Sequence, residues 1–238
     1  MLSEIKMSQI SGALCALHSC IFASIFPAIS VASAIIAFNS NAWTNAYAHF
    51  PIPFIPDSKM SFSLDSVSSF NGEIISYERF KTVLPPTQAQ SIEQLIMIGY
   101  YTGVFLLVGS AFTMLSIALY SLAPSLTLRT THFSYASSVR YLTIWCVLMS
   151  TLSHLIILIV WTRVAAGLSC TVALAWVSTP PFSPVADVNI STEYAAGFIY
   201  NAVAFVSVVL TLMIYVAKQR FQIGHNTNYD EIATIEQI

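Results

Sequence analysis

Charge is what this chain has least of. Asp, Glu, Lys and Arg make up 8% of its 238 residues, about a third of the roughly 25% typical of a soluble domain. Apolar residues make up 56%. Nine Lys and Arg against eleven Asp and Glu give a formal net charge of -2, without the basic excess that a nucleic-acid partner demands, so that class is excluded. Nucleophile and phosphate-binding motifs are missing too: there is no Gly-x-Ser-x-Gly, no His-Glu-x-x-His and no phosphate-cradling glycine loop. The chain is expected not to be an enzyme and to carry no cofactor or metal.

The few charges leave four windows empty, 7–56, 94–128, 141–162 and 194–217. Each holds the roughly 20 apolar residues that cross a bilayer. Backbone amides in hydrocarbon must be satisfied within their own segment, which favours helices, and the runs are too continuous for the alternating strands of a barrel. The expectation is an all-α membrane protein, a four-transmembrane-helix bundle with spans at 10–38, 92–122, 141–166 and 194–217. Its natural setting is the lipid bilayer.

Orientation follows the basic residues. The 123–140 connection has Arg129 and Arg140 and no acid, and Lys218 and Arg220 follow the fourth span, so both segments are expected in the cytosol along with residues 1–9. The 39–91 loop balances Lys59, Arg79 and Lys81 with Asp57, Asp65, Glu73 and Glu78, and 167–193 has Asp187 and Glu193 and no base. These two are expected outside, giving a multi-pass plasma-membrane protein with both termini cytosolic. Asn189-Ile190-Ser191 makes Asn189 a glycosylation acceptor in the second outer loop. Lys6, the apolar run after it and Ala32-Ser33-Ala34 also resemble a cleaved secretory signal, but the run is longer than the 7–15 residues of a signal core, which favours an uncleaved span. Cysteines do not help to staple the outside: Cys15, Cys20 and Cys146 are intramembrane, and Cys170 alone lies near the outer side.

The first outer loop is too long to be a mere connection. After Pro51, Pro53 and Pro56, the segment 61–70 leads into Asn71-Gly72, and 73–83 follows with Ile75, Tyr77 and Val83 in one parity. Asn-Gly between two such runs signals a β-hairpin with a type I′ turn. The third helix is expected to continue past the membrane to about residue 177, before Pro180-Pro181, and to pack against the hairpin. From 141 it is then about 55 Å long, against a hydrocarbon core of about 30 Å.

Polar groups inside the spans are functional candidates by default. His18 and His154 stand at different depths, which argues against a shared haem or metal, and a neutral histidine bonded to a carbonyl, to Ser150 or Ser153, or to Asn201 is the plainer expectation. His154 and Asn201 are the intramembrane polar candidates, and with Ser150 they would line the path of a conducting oligomer. Gly99-x-x-x-Gly103 and the patch at Gly109 permit close helix packing, mainly within the bundle. Pro27 is expected to bend the first helix. The tail 218–238 reads as a solvated, disordered segment. Within it, Tyr229 and Ile232 form a Tyr-x-x-apolar sorting motif for a cytosolic adaptor, and the terminus at Ile238 suits a PDZ-type groove.

Four spans, both ends inside, a fifty-residue first outer loop with β character, a short second one, a protruding third helix and Trp43 soon after the first span together resemble the claudin-type tetraspans, including peripheral myelin protein, amastins and fungal PalI-like proteins. The resemblance is one of layout, for the Gly-Leu-Trp sequence and two cysteines of the claudin signature are absent. It implies a non-enzymatic organiser, adhesion protein or auxiliary subunit that contacts other membrane proteins, or itself, laterally and through its outer face. A channel or transporting oligomer and a small structural subunit of a large complex are the other readings.

Overall fold

The computed structural model describes residues 23–50, 58–69, 71–84, 86–129, 133–178 and 188–235, with side chains described for all of these except 87, 123–137 and 219–235. Helices dominate: α1 (Ala23–Phe38), α2 (Tyr77–Val83), α3 (Ala89–Arg129), α4 (Phe133–Val160), α5 (Ala166–Val177) and α6 (Ala196–Ile235). Among the described residues three stretches are long and apolar enough to cross a membrane, Ala89–Leu122, Ser138–Val177 and Ala196–Lys218. The first expected span is described only from Ala23 onward, so His18, Cys15 and Cys20 lie outside the described residues, as do Pro51, Pro53 and Pro56.

The helices overrun the expected boundaries. α3 continues to Arg129 and α4 starts at Phe133, which turns nearly all of the expected 123–140 loop into helix. α6 continues past Lys218 to Ile235, where a disordered tail was expected. The cause is cooperativity: nucleation is the costly step, and a helix already held by packing adds further residues cheaply, above all Ala, Lys, Gln, Arg and Glu. The third helix does extend to Val177, through a π-helical turn at Trp161–Ala165 that joins α4 to α5.

Five strands, β1 (Thr44–His49), β2 (Ser58–Phe62), β3 (Ser66–Ser68), β4 (Ile74–Ser76) and β5 (Asn189–Tyr194), form one antiparallel sheet in the order β4-β3-β2-β1-β5. The expected hairpin is present across Asn71-Gly72 as β3 and β4, with Val67 opposite Ile75, but it differs in two respects. Gly72 N–H donates to Ser69 O (2.9 Å), Ser69 N–H donates to Glu73 O (2.8 Å) and Gly72 has φ 82°. This is a three-residue loop closed by a left-handed glycine, not the two-residue type I′ turn. The second run also leaves the sheet after Ser76, whose hydroxyl caps α2 by accepting from Arg79 N–H. Tyr77 and Phe80 are then buried at i and i+3 on one helical face, where strand parity had been expected.

The chain divides into two compact units. One comprises Ala32–Gly109 and Leu152–Phe205 and holds the whole sheet. Thr44, Ala46, Met60, Phe62, Val67 and Ile75 turn to the inner face of the sheet and are buried. α5 packs against β1 and β5, and Trp176 of α5 meets Phe80 of α2 with ring centroids 5.0 Å apart. The contact expected between the protruding helix and the 61–83 segment is therefore made.

The other unit comprises Met1–Val31, Ser110–Thr151 and Val206–Ile238. Its core gathers Ala23, Val147, Val208 and Tyr215. Tyr215 stacks on Tyr120 (4.7 Å, interplanar 4°), and the Lys218 ammonium bonds the Tyr120 hydroxyl and lies over its ring. A buried hydroxyl pair, Thr113 with Ser150 at 2.7 Å, satisfies both groups without charge.

Candidate interaction surface

Trp43 anchors the sheet-bearing unit. It is fully buried. Its indole N–H donates to Ala37 O (3.1 Å), a carbonyl in the last turn of α1 that also accepts from Ser40 N–H (3.2 Å). Its backbone N–H donates to Phe62 O (2.7 Å), and its carbonyl accepts from Ala195 N–H (2.9 Å). The Trp161 ring packs on it at 4.8 Å and donates to Thr44 Oγ1 (2.7 Å). Gly197 completes the seat, since a Cβ there would lie 2.4 Å from Trp43 Nε1. Sequence reasoning singled out Trp43 by position alone and missed Thr44, Gly197 and the burial of Trp161 against Trp43. The one available signal was a glycine opening an apolar helix.

The glycines of the expected packing motif have separate tasks. A Cβ on Gly99 would lie 1.8 Å from Leu64 O, so the turn between β2 and β3 rests directly on the α3 backbone. A Cβ on Gly103 would meet only Phe38 of α1, at 3.4 Å, and one on Gly109 would meet His154 Nε2 at 3.2 Å. All three therefore face neighbours within the chain.

His154 and Asn201 come together. His154 Nδ1 donates to Asn201 Oδ1 (2.7 Å), Asn201 Nδ2 donates to His154 O (3.4 Å), and both residues are fully buried. His154 Nε2 has no hydrogen-bond partner among the described residues. No three His, Cys, Asp or Glu side chains among the described residues are gathered as a metal ion would require.

The register of the sheet sets its outer face. Ser68, Ser61, Asn45 and Glu193 run across it in one row, with Lys59, Tyr47 and Ser191 in another and His49 opposite Asn189 at the end. Asn45 Oδ1 accepts from Ser61 Oγ (2.8 Å), His49 Nε2 pairs with Ser191 Oγ (2.9 Å), and Lys59 Nζ lies 5.9 Å from the Tyr47 ring centroid. Asn189 is exposed at the start of β5, where its side chain is open to modification. Ile74 of β4 and Val83 of α2 are exposed apolar groups at the opposite end of the sheet. The face is rich in hydroxyl and amide groups, with one lysine and one glutamate among them, a surface suited to hydrogen bonding with a partner.

Tyr77, beneath this face, donates its hydroxyl to Ser63 O (2.8 Å). Burial and then the negative charge of Asp65 push its phenol far above the ordinary range. Lys81 pairs with Glu93, joining α2 to α3, and this hydrogen bond raises the ammonium pKa. Tyr229 and Ile232 fall in α6 beyond the described side chains. No protein-family model matches the sequence, and no significant match to it is found among curated proteins.

Proposed function

We propose that the chain is a claudin-like tetraspan of the plasma membrane, with four spans and both termini in the cytosol, acting as a non-enzymatic organiser, adhesion protein or auxiliary subunit. The observation that carries this is the pairing of β1 with both β2 and β5. It makes one folded module of two loops that are far apart in sequence, next to three helices long and apolar enough to span. Such a module offers a fixed hydrogen-bonding surface with apolar groups at its rim, and the helices offer apolar faces for lateral contact. Its partners are other membrane proteins or further copies of itself, with a glycan on Asn189 and a cytosolic adaptor on the tail at Tyr229 and Ile232.

The test is mild extraction followed by identification of co-purifying proteins. A fixed partner is expected, with capture lost on Ile74→Asp, an exposed site where the change leaves the core intact. The conducting alternative gains nothing from His154 and Asn201, since they are bonded to each other in the core. A pure protein that passes ions in liposomes, with no partner captured, would overturn the proposal.

A further inference from the structure

A half-open groove of about 690 Å³ runs along α3 in the sheet-bearing unit. Its walls are 38–41 at the end of α1, the turn at 63–65, the junction at 76–78 and the 96–107 face of α3. Gly99 and Gly103 lie on its α3 side, with the Leu64 backbone seated on Gly99 and the Phe38 ring beside Gly103. The two ends of the groove differ in chemistry.

At one end Asp65 and Glu78 are both exposed, and no lysine or arginine among the described residues lines the groove. The two acid-bearing segments are tied together, because Tyr77 N–H, one residue before Glu78, donates to Asp65 O (3.2 Å). Asn39 and Asn41 line the groove as well, the Asn39 amide donating to Ile35 O (2.8 Å). At the other end Tyr100, Val104 and Leu107 are exposed side chains of a helix apolar enough to cross a bilayer, so this wall is continuous with a face suited to hydrocarbon. An occupant needs a cationic group at one end and a hydrocarbon chain at the other. An anionic head would meet two carboxylates with no base to compensate them.

We propose that this groove holds a zwitterionic phospholipid, its ammonium between Asp65 and Glu78, its phosphate toward the Asn41 amide, and one acyl chain along Gly103, Val104 and Leu107. The inference rests on the membrane-spanning reading and adds a lipid site to it. The volume lies within the roughly 300–1,000 Å³ of small-molecule sites and takes the head and part of one chain.

The experiment uses the full chain in nanodiscs of phosphatidylethanolamine, phosphatidylcholine and phosphatidylglycerol in equal parts. Lipids that stay with the protein on re-extraction into detergent are counted by native mass spectrometry. The two zwitterionic lipids are expected to be enriched about fivefold over phosphatidylglycerol, the scale of two exposed charge pairs acting together. The Asp65→Asn, Glu78→Gln double variant removes the charges and keeps the oxygen acceptors, so it is expected to lose the preference with its melting temperature unchanged. Val104→Trp, which fills the groove away from the sheet, is expected to lower retention of all three lipids. A membrane-resident chain that retains phosphatidylglycerol equally, keeps its preference in both variants, or carries a basic peptide in place of lipid overturns the site alone. A chain released from membranes by alkaline carbonate overturns the spanning reading along with it.

Discussion

Gly99 and Gly103 stand one turn apart on α3, yet the same substitution is expected to act on them with opposite signs. Gly99→Ala drives a methyl into the Leu64 carbonyl, a backbone atom that cannot turn aside. The strain of about 1–3 kcal/mol outweighs the gain of about 1 kcal/mol in helix propensity. At Gly103 the new methyl makes an ordinary contact with Phe38, so the propensity gain remains and the melting temperature in detergent is expected to rise. The His154–Asn201 pair gives a second check: Asn201→Ala leaves His154 Nδ1 buried without its acceptor, at a cost of about 1–3 kcal/mol. Replacing both residues by leucine is expected to recover most of that loss in the same unfolding assay. The sequence marked these glycines as packing groups, and His154 and Asn201 as intramembrane polar candidates with Asn201 among the partners open to the histidine. It did not say that Gly99 faces a carbonyl, because that contact joins a loop to a helix and has no period to read.

At the scale of elements, α2 with its buried Tyr77 makes the sheet unit sensitive to alkali. The raised phenol pKa means that the folded state favours the neutral form. The stabilisation is complete below the ordinary tyrosine value of about 10 and is lost as pH rises above it. Lys81, held protonated by Glu93, acts in the same direction. Melting measured from pH 8 to 11.5 is expected to fall steeply above 10 in the wild type and less so in Tyr77→Phe, with Lys81→Met separating the exposed contribution. The pairing of β1 with β5 is tested by cysteines at Asn45 and Glu193, which are directly opposed. A disulfide is expected from that pair and not from Asn45 with Ser191, two residues out of register. Of these elements the long helices and the Asn-Gly hairpin were legible from apolar runs and turn chemistry. β1 and β5 were not, since Thr-Asn-Ala-Tyr-Ala-His carries few β-branched or aromatic residues and Asn-Ile-Ser-Thr-Glu-Tyr, though it alternates them, is too short and polar a run to stand out without its partner.

For the whole molecule, the proposed orientation predicts a glycosidase-sensitive mass shift in a eukaryotic host, abolished by Asn189→Gln, and a C-terminal tag that stays protected from protease in intact cells. A protected Asn189 or an exposed tag would reverse the assignment of sides. The central place of β1 also bears on biosynthesis. Thr44 is paired with Tyr194, so one edge of β1 stays open while the ribosome makes everything in between, on the order of ten seconds at cellular rates. Premature termination anywhere before Asn189 leaves a ready template for aggregation or chaperone capture. Closure of the sheet thus waits on β5, just ahead of the last hydrophobic helix, and an unfinished chain advertises itself.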